Sequence, residues 1–307
     1  MNNISKLIAE KKGHSHLMSE LGKLPGSELN SLLIELFRTR TRKISSTELL
    51  KQFEKNRFAP PSSVDTIAFK ELEIKYLRIA KEKNFSIVTL SPLTCFGACS
   101  AVGLVDQNNV VSALRGTEVV SDATNVFALM IAKEFKNKRN NAVIKYATTH
   151  RHVRGQALSN PAFTPHFGVF CLSTGGMDTG NFCFELEHLL EHMNIHLAAL
   201  CDEFDKDKLS VKLYLKDDDE NFHQKLKAAM KDFDDAVKTE IGKEMSAGAY
   251  YKLVQFKFFL EHHGVEINLS DGGFVDWTQK LIPNNKHRLI ISGAGTELIY
   301  KIKHGQL

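Results

Sequence analysis

Side chains that bind anions are concentrated between residues 144 and 171, in the stretch IKYATTHRHVRGQALSNPAFTPHFGVFC. Two arginines and three histidines lie there: His150, Arg151, His152, Arg154 and His166. A guanidinium group donates two parallel hydrogen bonds to the oxygens of a carboxylate or a phosphate. The stretch therefore predicts a site for a small anion. A solvated loop with two scattered arginines is the alternative interpretation.

The element that must position these residues is a predicted β-hairpin. Residues 143–146 and 167–172 are runs suited to strands, and two X-Pro turn signals, at Pro161 and Pro165, lie between them. We expect the long connection of this hairpin to hold the arginines above the sheet.

A second set of polar residues crowds a predicted strand-to-helix corner. Residues 106–109 are typical of a hairpin turn, and Ser121 or Asp122 can cap a helix over residues 123–135. The corner collects Arg115, Thr117, Glu118, Asp122 and Asn125. Corners of this kind often carry ligand-binding groups in α+β proteins. Capping of the helix alone is the alternative role for Glu118 and Asp122.

The histidines of a later helix and the cysteines are weaker evidence for a functional site than the arginines. His188, His192 and His196 recur every four residues and therefore share one stripe of a predicted helix. A solvated or partly buried face is favoured over a metal site there. The five cysteines indicate buried free thiols, and Cys95 and Cys99 lack the second pair that a zinc site would need. The sequence therefore predicts no metal site.

Other segments complete a mixed α+β pattern. Helices are predicted within residues 1–57 and over 65–84, 222–243 and 296–302, and strands over 85–93, 209–216, 250–260, 265–269 and 288–292. Residues 173–176 and Gly272-Gly273 are predicted turns. Gly293 and Gly295 precede the last helix, whose terminal amides favour an anion.

Composition excludes several classes of function. The 307 residues include 43% hydrophobic and 25% charged side chains, and the formal net charge is +4. This balance is too weak to indicate a nucleic-acid surface. The N-terminus has no apolar segment, and no run is long enough to span a bilayer. We therefore expect a cytoplasmic protein with no membrane or nucleic-acid partner.

The order of these segments resembles the catalytic core of the class II aminoacyl-tRNA synthetases, and within them the histidyl-tRNA synthetases and their paralogues, over residues 65–303. Pro92 in LSPL is similar to the proline of motif 1 at the dimer interface. The segment ALRGTEVV, with Arg115, Thr117 and Glu118, resembles the segment that anchors the ammonium group of the amino acid. Residues 150–170 resemble motif 2, in which Arg151 would contact the α-phosphate.

Later segments continue the resemblance. His166 stands where the family usually has an amide, and Tyr250-Tyr251 resembles the tyrosine pair of the histidine pocket. Residues 272–276 resemble the Gly-Gly-Arg-Tyr-Asp turn, and GAGTELI at 293–299 resembles motif 3. The resemblance implies an α+β core of antiparallel β-sheet flanked by helices over residues 61–307, a small helical extension over 1–60, and a homodimer. It also makes ATP and Mg possible cofactors, and Arg151, Arg154, Gly293 and Gly295 would then contact the nucleotide.

Departures from the family pattern bear on activity. Leu298 and Ile299 stand where motif 3 has an arginine, Phe170 replaces the glutamate that receives the imidazole, and Ser246 or Ala247 replaces a further arginine. Each lost charge-assisted contact costs about 1.5–3 kcal/mol. Histidine adenylation is therefore disfavoured. The sequence ends at Leu307, so we also expect no anticodon-binding domain.

The predicted function is binding of a small amino-acid-like or nucleotide-like anion without tRNA charging. The predicted ligand-binding residues are Arg115, Thr117, Glu118, Arg151, His166, Tyr250 and Tyr251. The regulatory subunit of ATP phosphoribosyltransferase is a precedent in the resembling family. The alternative is an ATP-dependent ligase that forms acyl adenylates and uses Arg154 or Arg288 in place of the missing arginine. A dimeric scaffold with a vestigial pocket is a third possibility.

Overall fold

The fold is described from a computed structural model that covers residues 4–14, 16–137, 142–156, 163–215, 219–234, 236–242 and 251–307. The helices are α1 (Ile4–Lys11), α2 (Leu17–Lys23), α3 (Gly26–Thr41), α4 (Ser46–Lys55), α5 (Thr66–Glu82), α6 (Ala123–Asn137), α7 (Cys183–Cys201), α8 (Glu220–Ala229), α9 (Lys231–Asp234), α10 (Trp277–Leu281) and α11 (Thr296–Lys303). The strands are β1 (Ser86–Ile87), β2 (Leu93–Cys95), β3 (Ser112–Ala113), β4 (Thr117–Val119), β5 (Ile144–Val153), β6 (His166–Met177), β7 (Leu209–Leu215), β8 (Lys238–Gly242), β9 (Lys252–His262), β10 (Val265–Val275) and β11 (His287–Ala294).

A large sheet organises the chain. Its eight strands follow the order β1-β5-β6-β11-β10-β9-β7-β8, and a smaller sheet has the order β2-β4-β3. The outermost pairs, β1 with β5 and β7 with β8, are parallel, whereas the inner strands pair in antiparallel fashion. Helices flank this sheet, which confirms the predicted α+β architecture.

Different helices pack against the two faces of the large sheet. On the face here called the helix face, residues of α5, α7 and α11 such as Tyr76, Leu189 and Ile299 form the main core with Phe170 and Leu172 of β6. On the opposite face, here called the pocket face, Phe127 and Ile131 of α6 pack beside Cys171 and Ile291. Because side chains alternate along a strand, neighbouring residues of β6 serve different faces.

The first four helices lie outside this core. No residue of α2, α3 or α4 is buried. The side chain of Ser45 caps α4 by accepting from the backbone N–H of Glu48 at 3.2 Å, as expected. Asn30 accepts from the backbone N–H of Gly116 at 3.1 Å, and Arg57 donates to the carbonyl of Gln156 at 2.8 Å. These bonds attach the helical segment to the loops of the core.

Several predicted boundaries are wrong. The hairpin turn expected at 106–109 is a 3₁₀ turn, Gln107–Asn109, that follows a π-helical turn, Ala98–Val102, and the tight hairpin is the later one between β3 and β4. The strand expected over 85–93 is reduced to β1 and the first residue of β2, and the helix expected over 222–243 gives way to β8. Local propensity was overridden in these segments by pairing within the two sheets.

The two glycine pairs predicted as turns are parts of strands. Residues 173–176 lie within β6, and Gly272 and Gly273 lie within β10. A Cβ on Gly272 would meet the Cβ of Ser292 at 2.4 Å and the Phe256 ring at 2.6 Å. Close packing between strands and side chains, and not a turn, therefore requires glycine there.

Within the described residues, none of the helices combines the length and the apolar composition needed to cross a membrane.

Candidate binding site on the pocket face

Two adjoining cavities of about 230 and 340 Å³ lie on the pocket face of the sheet. Both are lined by Asp122, Arg154, Tyr251 and Asp271. The smaller cavity also reaches the start of α11 at Gly295. Concave sites with a few converging polar groups are where small ligands usually bind, so these cavities form the candidate site.

Arg154 is placed by the end of the β5–β6 hairpin. Its backbone N–H donates to the carbonyl of Pro165 at 2.8 Å, and its side-chain Nε donates to the carbonyl of Ser121 at 3.3 Å. The guanidinium carbon lies 5.3 Å from the centre of the Phe167 ring, within the range of a cation–π contact. These contacts fix the guanidinium at the cavity wall.

The two carboxylates come from different elements. Asp122 caps α6, since one of its oxygens accepts from the N–H and the hydroxyl of Thr124 at 2.9 and 2.7 Å. Asp271 lies in β10 opposite Gly293, which brings no side chain to this face. Burial raises the pKa of Asp271, and Lys257 and Arg154 oppose that rise. The site thus combines one guanidinium with two carboxyl groups.

A histidine and a cysteine complete the polar lining. The backbone N–H of Ala123 donates to His152 Nε2 at 3.0 Å, and the sulfur of Cys171 lies 3.8 Å from the same nitrogen. Burial, with help from Arg154, keeps the pKa of His152 well below its usual range, and burial raises the pKa of the Cys171 thiol. The two side chains are therefore neutral near pH 7.

Arg151 lies on the other side of the sheet. Its guanidinium forms an ion pair with Glu297 at 2.9 Å and contacts His166 Nδ1 at 2.7 Å. The other ring nitrogen of His166 lies 2.7 Å from the carbonyl of Pro60. Arg151 and His166 line a cavity of about 400 Å³ that is separate from the candidate site. The two-residue period of β5 directs Arg151 to the helix face and His152 to the pocket face.

The predicted ammonium-binding segment holds the small sheet together. Arg115 is exposed in the β3–β4 turn with a positive φ of 68°, and Thr117 donates to the carbonyl of Leu114 at 2.9 Å. Glu118 is buried and accepts from the N–H groups of Gly97 and Cys99 at 2.8 and 2.9 Å. The structure therefore does not bring Arg115, Thr117 or Glu118 to the cavities that Arg154 lines.

Of the other predicted residues, Tyr251, Gly293 and Gly295 line the candidate site, and Tyr250 lies outside the described residues. Arg288, expected as a substitute cation, forms ion pairs with Asp178 at 2.6 Å and Glu185 at 2.7 Å. Sequence reasoning missed the roles of His152 and Asp271. The alternation of the strands that carry them was the available signal.

The histidine stripe of α7 is buried against the sheet. His192 contacts the hydroxyls of Thr174 and Ser292 at 2.9 and 2.8 Å, and His196 contacts the Ser292 hydroxyl at 2.9 Å. His188 lies 3.1 Å from Glu191. His192 and His196 therefore take part in hydrogen bonds between helix and strands. All three histidines are buried, whereas the sequence predicted a solvated or partly buried face.

No family model and no curated protein matches this sequence. Solved structures do match. A structure described as an ATP phosphoribosyltransferase regulatory subunit/histidyl-tRNA synthetase from Bacillus halodurans aligns with a TM-score of 0.63 and 11% identity, over 81% of this chain and 82% of that chain. The apo histidyl-tRNA synthetase of S. aureus aligns with a TM-score of 0.60 and 12% identity, over 80% and 69%. The histidine–tRNA ligase subunit of Alicyclobacillus acidocaldarius gives 0.59 and 10%, over 80% and 96%.

Identities this low establish the fold alone. The antiparallel sheet, the flanking helices and these alignments agree with the resemblance found in the sequence. The chain has the fold of the class II aminoacyl-tRNA synthetase catalytic core.

Proposed function

We propose that this synthetase-like chain binds a small zwitterion of the amino-acid type in the cavities lined by Arg154, without charging tRNA. The observation that carries the proposal is the presence of one guanidinium and two carboxyl groups, Arg154, Asp122 and Asp271, around one site. A guanidinium accepts a carboxylate ligand, and a carboxyl group accepts from an ammonium group. The ligand class therefore has one charge of each sign.

The charges of the lining favour an amino acid over a nucleotide. Arg154 is the basic residue among the described residues that line both cavities, and Asp122 and Asp271 lie in the same walls. A triphosphate would place several negative charges beside two carboxyl groups. Leu298 lines the cavity at the position where motif 3 of the resembling family has an arginine. These residues do not fit ATP, and we assign no adenylation step to them.

A regulatory role is the form of this function that we favour. The solved structure with a TM-score of 0.63 carries a description that includes the regulatory subunit of ATP phosphoribosyltransferase. By this analogy the chain would act as a cytoplasmic homodimer that senses its ligand for a partner enzyme. Fold alone does not specify function, so the ligand has to be tested directly.

The experiment is thermal unfolding of the full chain with each proteinogenic amino acid, followed by calorimetric titration of those that stabilise it. A ligand at 100 times its Kd stabilises the folded state by about 2.7 kcal/mol. We expect one amino acid or a close analogue to stabilise the protein, and its amide and its des-amino derivative to fail. Incubation with ATP, Mg²⁺ and the same ligands should give no pyrophosphate exchange.

Arg154→Ala should abolish the stabilisation, whereas Arg151→Ala, on the helix face, should keep it. A response that survives Arg154→Ala would place the ligand elsewhere and overturn the assignment of the site. Pyrophosphate exchange would favour the ligase over the binding protein.

A further inference from the structure

Three potential metal ligands converge in the candidate site. The carboxylate of Asp122, the imidazole of His152 and the thiol of Cys171 each bring one donor atom to a group in which all atoms lie within 4.8 Å of one another. His152 and Cys171 are each only 1% exposed. Asp122 directly precedes α6, and the other two residues belong to β5 and β6. Three separate elements of the fold therefore fix the donors.

The types of donor agree with zinc. Zn²⁺ binds thiolate sulfur, imidazole nitrogen and carboxylate oxygen in a tetrahedral arrangement. Catalytic and ligand-binding zinc sites keep three protein ligands and leave the fourth position open. All three residues here line the same cavity of about 230 Å³, so a fourth position would face the space where a small ligand fits.

The hydrogen bonds of His152 indicate the tautomer in which Nε2 carries the lone pair that a metal ion would bind. Ala123 N–H donates to Nε2, so the proton of the neutral ring is on Nδ1, which has no hydrogen-bond partner among the described residues. An ion that takes the Nε2 lone pair would replace the hydrogen bond from Ala123. That N–H lies in the first turn of α6, where backbone donors are not required for helical hydrogen bonds.

The charges of the site balance when the ion binds. Cys171 binds the ion as a thiolate and releases one proton to solvent, and Asp122 contributes the second negative charge. The two charges of Zn²⁺ are then neutralised within the cluster. Arg154 and Asp271, which line the same cavity, form a further pair of opposite formal charges beside it.

We propose that Asp122, His152 and Cys171 form a site for a divalent zinc-type ion whose fourth position opens to the ligand cavity. The metal site shares Asp122 and the cavity with the amino-acid site proposed above, but its test uses the metal alone, so that either proposal can fail without the other.

The test is to dialyse the full chain against a chelator and then titrate it with Co²⁺, followed by competition with Zn²⁺. We expect one ion per chain, a thiolate-to-cobalt charge-transfer absorption, and loss of that absorption when Zn²⁺ is added. Cys171→Ser should abolish the charge-transfer band. His152→Gln should weaken zinc binding by at least about tenfold, the effect known even for residues that only orient the ligands.

Cys99→Ser is the matched control, since Cys99 is also a buried thiol but lies 2.9 Å from the Ser121 hydroxyl and outside the cluster. It should keep the band and the stoichiometry. Asp122→Asn is a second variant that should retain the band and bind more weakly, and it carries the test if Cys171→Ser does not fold. The proposal would be overturned if the chain did not bind Co²⁺ stoichiometrically. It would also be overturned if the charge-transfer band were unchanged in all the variants of Asp122, His152 and Cys171.

Discussion

Arg151 and Arg154 are three residues apart in sequence, and they lie on opposite faces of the sheet in different surroundings. On the helix face, Arg151 is neutralised by Glu297, which is only 2% exposed and accepts further bonds from Ser62, Lys301 and the backbone of Gly168. On the pocket face, Arg154 shares a cavity with two carboxyl groups and a buried imidazole. The first arrangement is closed by protein partners, and the second is open to a ligand.

The difference shows that the number of arginines does not define an anion site. A guanidinium whose buried counter-ion is already in place gains little from a ligand, because the ligand would have to displace the protein's own carboxylate. Arg154 donates from its Nε to a backbone carbonyl and lies over an aromatic ring, so it is held in place next to open volume. Position relative to the sheet decides which arginine can bind.

The largest effect on stability should come from removing the carboxylate of Glu297 on the helix face. Burial raises the pKa of Glu297, but the Ser62 hydroxyl, Arg151 and Lys301 outweigh it, so that the pKa is lowered and the group is ionised. Glu297→Ala removes the shared acceptor of these donors. Breaking a buried ion pair costs about 3–5 kcal/mol. Urea unfolding monitored by circular dichroism would measure the loss.

Asp271→Asn on the pocket face is the control for this prediction. It should change the free energy of unfolding by no more than about 1 kcal/mol, because its bond from Gln255 is long, at 3.5 Å, and its burial opposes ionisation. A smaller loss for Glu297→Ala than for Asp271→Asn would contradict the contrast between the two faces.

Lowering the pH should destabilise the folded protein through two buried histidines on the helix face. This is the second-largest effect that we expect. Burial lowers the pKa of His196 to about 3 and that of His192 well below its usual range. Their unfolded forms bind protons below about pH 6.5 and their folded forms do not, so stability is complete above that pH and falls as the pH is lowered toward 3. Each such histidine contributes a slope of about 1.4 kcal/mol per pH unit in that window.

His196→Gln keeps a side-chain nitrogen near the Ser292 hydroxyl and removes the titration. The slope of unfolding free energy against pH, measured between pH 4 and 6, should decrease by about 1.4 kcal/mol per unit relative to the wild type. A slope in His196→Gln equal to that of the wild type would show that His196 does not titrate with folding.

Most of the fold could be predicted from the sequence because its elements carry strong local patterns. The α5 helix begins at its Asp65 cap, and α6 and α11 begin where the polar corner and the Gly293–Gly295 segment predict. The failures have a common cause. The glycines of β6 and β10 were predicted to form turns. In the structure, a Cβ on Gly175 would clash with the side chain of Ile131, and a Cβ on Gly176 would clash with that of Phe184. Local propensity contains no information on such long-range packing.

The site was predicted only in part, for a related reason. Of the residues predicted from the sequence, Arg154, Tyr251, Gly293 and Gly295 line the candidate site. It did not specify the face of the sheet that each residue meets, because a shift of one position in the strand exchanges the two faces. His152 therefore lines the site and Arg151 does not, and Asp271 and Cys171 line it although neither residue was assigned a role from the sequence.

The smallest expected effect is that of Arg115→Ala. It distinguishes the anion site predicted from the sequence, which includes Arg115, from the candidate site in the structure, which does not. Arg115 is exposed in a turn of the small sheet and does not line the cavities of Arg154. Arg115→Ala should therefore change the free energy of unfolding by less than about 0.5 kcal/mol and leave the amino-acid-induced thermal shift unchanged. Arg154→Ala, measured in parallel, should remove that shift. If Arg115→Ala removed it as well, both arginines would contribute to one anion site after all, because a residue that touches neither ligand nor core has no other route to the same loss.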